Sequence, residues 1–316
     1  MTSLQTHSRQ GQPTEEARTP LAFKDIEIAD KEAITAYTLT GQRRNCDLSF
    51  SNLCCWRFLY GTQYAEYEGW LLLKFRVEGR LAYMMPVGKG DLKQAVEALA
   101  DDARREGEPL QIMGVCHNLC AELEACMPGR FRFEADRDYA DYLYLRTDLA
   151  TLEGKKLQAK RNHVNRFRRT YPDYEYLPIT PQLVQECLEV EERWCRENNC
   201  DEQAGTGNER RALEYALRHF EELGLTGGLL RTGGQTVAFS FGMPICEDTF
   251  GVHVEKADTR IEGSYAMINM EFARRVPSQY IYLNREEDLG IPGLRKAKLS
   301  YQPAVVLEKY TAYDKE

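Results

Sequence analysis

The densest chemistry in the chain lies in His253-Val-Glu-Lys-Ala-Asp-Thr-Arg-Ile-Glu-Gly-Ser-Tyr265. It reads as a strand that runs into a polar loop, and the loop opens a helix. Such a junction presents unpaired backbone N–H groups and the positive end of a helix dipole, which together suit an anion such as a diphosphate. Arg260, Gly263, Ser264 and Tyr265 are the candidate seat; a glycine ahead of a helix is most often only a turn. Strand alternation puts His253 and Glu255 on one face and Val252 and Val254 on the other. A carboxylate or imidazole in a partly desolvated cleft could take the proton from an attacking amine. The competing reading pairs Glu255 with Lys256 or Arg260 and makes His253 a satisfied polar residue.

A second cluster is Asn284-Arg-Glu-Glu-Asp-Leu-Gly-Ile-Pro-Gly-Leu-Arg-Lys-Ala-Lys-Leu-Ser-Tyr301. Pro292 suits the first turn of a helix. Asn284 with Lys296 or Lys298 would make a second anion seat, the lysines acting as point charges. Alternatively Arg285, Glu286, Glu287 and Asp288 form a surface network of small energetic worth. Tyr301 is a candidate general acid or a core aromatic. A third cluster holds Lys155, Lys156, Lys160, Arg161, Arg166, Arg168 and Arg169 with no acid among them. Leu157, Val164, Phe167 and Tyr171 give that segment one narrow apolar stripe, so most of the helix circumference is cationic. It is a solvated face, or a dock for donor phosphates, tRNA or anionic lipid.

The elements that must hold these clusters follow from pattern. The chain has 316 residues, 43% of them hydrophobic and 28% charged, which suits two globular domains. The net charge of −8 argues against general affinity for nucleic acid or membrane. Met1–Pro20 reads as a frayed arm without the apolar core of a secretory signal, and the longest apolar run, Trp70–Phe75, is too short to cross a bilayer. A cytoplasmic protein with reduced thiols is expected from ten cysteines in such a chain. Cys116 and Cys120 flank His117, but no second pair stands at knuckle spacing, so no metal is expected.

Periodicity predicts strands at Trp70–Val77, Arg80–Val87, Leu110–Val115 and a half-exposed one at Tyr139–Arg146. Helices are expected at Glu32–Thr38, Ser51–Tyr60, Leu92–Arg105 behind an Asp91 cap, and Asn118–Met127. The basic helix is expected to run unbroken over Thr147–Arg169. Beyond Pro181 the order is helix, helix Glu209–Leu223, hairpin Thr226–Arg231 with Gln235–Pro244, strand Thr249–Glu255, loop and helix Tyr265–Val276. Strand Tyr280–Asn284, helix Leu294–Tyr301 and a last strand Val305–Tyr313 complete it. That order resembles acetyltransferase-like domains, and the first half carries a rougher copy. The expectation is an α/β chain of two tandem acetyltransferase-like (GNAT) domains, 21–172 and 173–316, each a mixed central sheet flanked by helices. The boundary falls near Tyr171–Pro181, and internal pairing makes a monomer.

Phe239-Ser-Phe-Gly242, His253–Asp258, Gly263-Ser-Tyr265, Ile268-Asn269 and Asn284–Tyr301 together resemble an uncharacterised bacterial family. It is related to the C-terminal domain of phosphatidylglycerol lysyltransferase and, distantly, to Fem-type peptidoglycan aminoacyltransferases. The similarity runs from about Phe23 to Tyr313. It implies transfer of an acyl or aminoacyl group. Acetyltransferase-like enzymes hold the coenzyme A pyrophosphate with Q/R-x-x-G-x-G/A; Arg260-Ile-Glu-Gly263 matches the first four positions, and Tyr265 departs from the last. Fem-type enzymes have a K-x-R helix, to which Lys156, Lys160 and Arg161 would correspond. The expected function is transfer from acyl-coenzyme A to an amine acceptor, with Glu255, His253 and Tyr301 as catalytic candidates. The alternatives are an aminoacyl-tRNA donor with a lipid or cell-wall acceptor, and a non-catalytic binding protein on the same fold.

Overall fold

The computed structural model describes residues 20–198 and 204–315; the expected arm therefore lies outside the described residues, save Pro20. Two mixed sheets form. The first runs Lys24–Asp25, Gln63–Tyr67, Trp70–Val77, Arg80–Met84, Gln111–Val115, Tyr310–Asp314, Phe131–Ala135, with Val87–Gly88 alongside Trp70–Val77. The second runs Val305–Leu307, Asp141–Leu145, Tyr282–Asn284, Thr249–Ala257, Gln235–Cys246, Thr226–Thr232, Glu175–Pro178.

Each sheet has one parallel pair at its centre, and a helix crosses over between its two strands. In the first sheet Arg80–Met84 lies parallel to Gln111–Val115, linked through Leu92–Glu106. In the second Thr249–Ala257 lies parallel to Tyr282–Asn284, linked through Ser264–Arg275. The parallel pairing in the second sheet covers only Thr249–Gly251 against Tyr282–Asn284. Beyond Gly251 and Asn284 the two strands part, leaving a wedge. This is the tandem acetyltransferase-like architecture.

The sheets do not divide at Tyr171–Pro181. Asp141–Leu145, from the first half, sits in the second sheet between Tyr282–Asn284 and Val305–Leu307. The expected single last strand is instead two strands. Val305–Leu307 stays in the second sheet, and Tyr310–Asp314 crosses to the first, between Gln111–Val115 and Phe131–Ala135. Each half thus lends one strand to the corresponding place in the other sheet. For the same reason Asp141–Leu145 is not half-exposed: Asp141, Tyr142, Leu143 and Tyr144 are all buried, because both edges are paired and both faces covered.

Local signals explain most element ends. The Asp91 carboxylate accepts from the Gln94 N–H at 3.2 Å, capping Leu92–Glu106, and Gly107 closes that helix in the left-handed region. The expected helix Ser51–Tyr60 is two short ones, Phe50–Cys55 and Arg57–Tyr60, interrupted at Trp56. The basic helix is likewise broken into Arg146–Thr151 and Gln158–Thr170. Leu152 and Gly154 between them take positive φ, 55° and 82°, which no continuous helix allows. Leu157, Val164 and Phe167 are buried as the stripe requires.

The strand exchange sets a clear expectation. Residues 173–316 expressed alone lack the strand that fills their sheet between Tyr282–Asn284 and Val305–Leu307, so they should not fold. The full chain should unfold in one cooperative transition. Calorimetry of both, with amide exchange on the fragment, checks this.

Candidate functional site

The wedge is lined by residues that sequence spacing separates widely. A β-bulge at His253 distorts its first strand, since Phe241 pairs Val254 while Gly242 pairs Val252. The extra residue breaks the expected alternation. Val252 packs with Phe250 and Phe272, whereas Val254 packs with the cluster of Leu229, Phe239 and Phe241. Glu255 and His253 consequently reach different partners. Glu255 takes Arg285 Nη2 at 2.8 Å on one oxygen and Asn269 Nδ2 at 2.9 Å on the other. His253 meets Ser49 and Glu286.

Arg285 is the centre of the wedge. Its guanidinium lies 4.7 Å from the Tyr301 ring centroid and 5.5 Å from that of Tyr144. Lys160 Nζ sits 4.0 Å from the centroid of the same Tyr301 ring. Burial, and then the Arg285 charge, lower the Lys160 pKa, with Glu255 opposing. Burial pushes the Tyr301 and Tyr144 phenols well up. Two buried polar atoms here have no hydrogen-bond partner among the described residues: Arg285 Nη1 and Asn269 Oδ1. One is a donor and one an acceptor, and buried groups of that kind are ordinarily satisfied.

The run after the second wedge strand is not a surface network. Each of its charged side chains turns inward to a different set of partners, Asp288 buried and the other three partly so. Glu286 takes His253 and Asn52, each at 2.8 Å. Glu287 takes Lys309, whose Nζ also lies 2.8 Å from Asp141 and 2.9 Å from Asp47. Asp288, with no exposed side-chain surface, takes Arg295 at 2.7 Å, Arg137 and the Tyr142 hydroxyl. Cys46, Asp141 and Glu287 converge closely enough to ligate a metal, but the Lys309 ammonium lies among them and supplies the cation. Burial raises the Asp47 and Glu287 carboxyls. Burial works against the Lys309 charge, yet Asp141 and Asp47 hold its pKa well above the ordinary lysine value.

The proposed anion seats have other duties. Arg260 pairs with Asp258 at 2.6 Å and with Glu197 at 3.2 Å. Gly263 begins the helix Ser264–Arg275 at φ +87°, and a Cβ there would lie 2.6 Å from the His163 carbonyl oxygen and 3.1 Å from Phe167 Cβ. Its missing side chain thus admits the basic helix. Ser264 Oγ donates to the Asp258 carbonyl at 3.0 Å, and burial pushes the Tyr265 phenol up to about 12. Asn284 is buried and donates to Asp141 and to the Arg44 carbonyl, each at 2.7 Å. Lys298 is buried too and donates to the carbonyls of Arg285 and Glu287, while Lys296 is exposed. Arg161 ties the carbonyls of Leu152 and Gly154 across the helix break; Lys156 is exposed.

The family model for the C-terminal domain of phosphatidylglycerol lysyltransferase matches residues 40–313. The chain belongs to this family. A conserved protein of unknown function from Bacteroides thetaiotaomicron is 65% identical, with 93% of this chain and all of that chain covered, at a TM-score of 0.92. L-PGS from Bacillus licheniformis shares the fold at 17% identity and TM-score 0.65, with 93% of each chain covered. The C-terminal domain of a putative lysylphosphatidylglycerol synthetase from Agrobacterium fabrum does so at 16% identity and TM-score 0.65, covering 92% of this chain and 93% of that one. An uncharacterised protein of Mycoplasmoides gallisepticum is 25% identical over 174 residues, so the match spans about half of that relative, 54%. Membership makes the chain a relative of transferases. No helix among the described residues is long and apolar enough to cross a membrane.

Of the sequence candidates, Glu255, Tyr301 and Lys160 meet in the wedge with Arg285, and His253 stands beside it. Sequence spacing gave no hint of Ser49, Asn52, Tyr144 or Lys309, which arrive from segments far along the chain and carry no local signal of their partners.

Two substitutions test these assignments. Gly263→Val should cost about 2 kcal/mol or more, from a positive φ and a clash with backbone, and thermal denaturation reads it. Asp288→Asn should cost about 3 kcal/mol near neutrality, since it strands Arg295 beside a neutral amide. Arg295 holds the Asp288 carboxyl well below its ordinary value, against burial and with help from Tyr142 and Gly290. Its contribution is therefore complete above the unfolded value of about 3.9 and fades as pH falls below it. The gap between parent and variant in urea denaturation should narrow under about pH 4.

Proposed function

We propose that the chain is an aminoacyltransferase that takes its aminoacyl group from a charged tRNA and passes it to an amine or hydroxyl acceptor in the wedge. The observation that carries this reading is the Glu255–Arg285 pair with Arg285 Nη1 and Asn269 Oδ1 left unpartnered beside it. An N–H fixed in a partly dry cleft suits the oxygen of an ester carbonyl, where negative charge develops as the acceptor attacks. Glu255, held on both oxygens, is a fixed acceptor for the ammonium of an aminoacyl group, and Asn269 Oδ1 adds a second. Tyr144 and Tyr301 wall the space with aromatic faces.

The basic helix supports the tRNA donor. Lys160 reaches the wedge, and further along the same helix Asn162, Asn165, Arg166, Arg168 and Arg169 line a shallow groove of about 680 Å³. A polyanion lying in that groove would be led toward the wedge. Family membership agrees with aminoacyl transfer. Acyl-coenzyme A, the donor expected from the Arg260-x-x-Gly263 motif, draws less support, because Gly263 faces the backbone of the basic helix and Arg260 faces two acids.

Binding assays with charged tRNA and with acetyl-coenzyme A separate the two donors. Charged tRNA should bind, and Arg166→Gln with Arg169→Gln should weaken it and flatten its salt dependence by about one unit per lost phosphate contact. Arg285→Gln should leave tRNA affinity near the parent value while lowering aminoacyl transfer by about 100-fold or more. Turnover with acetyl-coenzyme A, and none with any charged tRNA, would replace this donor with the other.

A further inference from the structure

Ser49, His253 and Glu286 come from three distant segments and form a continuous hydrogen-bonded line. Ser49 Oγ lies 2.8 Å from His253 Nε2, and His253 Nδ1 lies 2.8 Å from Glu286 Oε1. The partners are 204 and 33 residues apart in sequence, so the line is a product of the fold. Burial pushes the Glu286 carboxyl up, but the hydrogen bonds from His253 and Asn52 prevail and hold it below its ordinary value. An ionised Glu286 fixes the proton of a neutral imidazole on Nδ1 and leaves Nε2 free to accept from the serine hydroxyl.

Three further features set this line apart from a routine polar contact. Ser49 is the N-cap residue of Phe50–Cys55, yet its side chain makes no cap hydrogen bond. A capping serine ordinarily gives its oxygen to the helix; here that oxygen is turned to the histidine, and the Ser51 N–H is left to the Met243 sulfur at 3.2 Å. Glu286 adopts φ +58°, a region costly for a side chain with a Cβ, and strain of this kind gathers at working sites. Finally, His253 and Glu286 each stand two residues past the last parallel pair, Gly251 with Asn284. They therefore sit where the wedge opens, next in chain to Arg285 and two residues from Glu255.

We propose that Ser49 is a nucleophile, activated by His253 and Glu286, and that transfer proceeds through an acyl ester on Ser49. The arrangement is that of a serine–histidine–carboxylate triad, recognised by geometry and roles. As Oγ bonds to the carbonyl carbon of the donor, its proton passes to His253 Nε2. The donor's ester C–O bond then breaks, and the leaving oxygen takes that proton. In the second half the acceptor's amine or hydroxyl attacks the Ser49 ester, its proton passes to Nε2, and Ser49 Oγ leaves and recovers it. No oxidant or further reactant is needed. Ser49 is buried at 1% exposure, so its hydroxyl is shielded from water that would hydrolyse the ester, and the step requires the donor's acyl carbon to reach it beside His253.

The step rests on the acyl-transfer reading but not on the identity of the donor, and its test uses none. The full chain is incubated with a small fluorophosphonate and followed by intact mass and peptide mapping. One phosphonyl adduct on Ser49 is expected. It should be absent in Ser49→Ala and at least tenfold slower in Glu286→Gln, with circular dichroism showing both variants folded. The adduct would stand even if charged tRNA failed to bind, in which case the donor reading alone would fall. No adduct on Ser49 of the folded parent after prolonged exposure up to pH 9, or labelling unchanged in Ser49→Ala, would overturn the proposal.

Discussion

Four consecutive charged side chains, Arg285 to Asp288, turn inward to four separate sets of partners, Asp288 buried and the other three partly so, and much of the arrangement around the wedge follows from satisfying them. A buried charge is tolerable only when it is paired and hydrogen-bonded. Here the partners are Glu255 on a strand of the second sheet, His253 and Asn52, Lys309 with Asp141 and Asp47, and Arg295 with Arg137. No one half of the chain could supply them all. Asn52 and Asp47 belong to the early helices, Asp141 to the strand lent to the second sheet, and Lys309 to the link between the last two strands. The strand exchange brings these groups to one place. The carbonyls of Arg285 and Glu287 are also held, by Lys298, which fixes the run's backbone as well as its side chains.

The wedge depends on that fixing. Two parallel strands that part after three residue pairs leave backbone without ladder partners, a costly arrangement unless side chains and neighbouring elements cover it. In this chain the basic helix, the helix Ser264–Arg275 and the inward-turned acids provide the cover. The outcome is a cleft whose polar groups are held by many contacts, with Arg285 Nη1 and Asn269 Oδ1 left over. Preorganisation of that sort is what a polar transition state needs, because the donors then require no rearrangement when charge appears.

Much of the fold was legible in the sequence for plain reasons. The apolar run Trp70–Val77 with its turn at Glu78–Gly79, the Asp91 cap and the Pro292 start are local signals, and local structure obeys them. The exchange of strands was not legible. Whether Tyr310–Asp314 pairs beside Val305–Leu307 or crosses to the other sheet depends on partners nearly two hundred residues away, and a short strand carries no address. The buried acids were misread for a related reason. A run such as Arg-Glu-Glu-Asp has the composition of a solvated turn, and only partners from several elements make burial affordable. At the site, the family resemblance pointed to segments that meet at the wedge, while strand alternation put His253 and Glu255 on one face and the structure does not. The bulge at His253 adds one residue to the strand, and one residue suffices to separate it from Glu255.

Gly263 shows how a single residue can satisfy two readings until a neighbour is seen. A glycine with positive φ before a helix suits close approach, whether by a diphosphate or by another backbone. The approach made here is by the His163 carbonyl, so the helix that carries the cations is clamped to the helix that borders the wedge. Arg166 pairs across that seam with Glu262, and Arg168 with Glu271. The basic face is therefore not a loose tether between domains. It is fixed in register with Glu255 and Arg285, and a polyanion bound along it would have one end held at a set distance from the reacting groups. Such positioning is worth more to a transfer reaction than affinity alone, since it turns an encounter between two bound groups into a step within one complex.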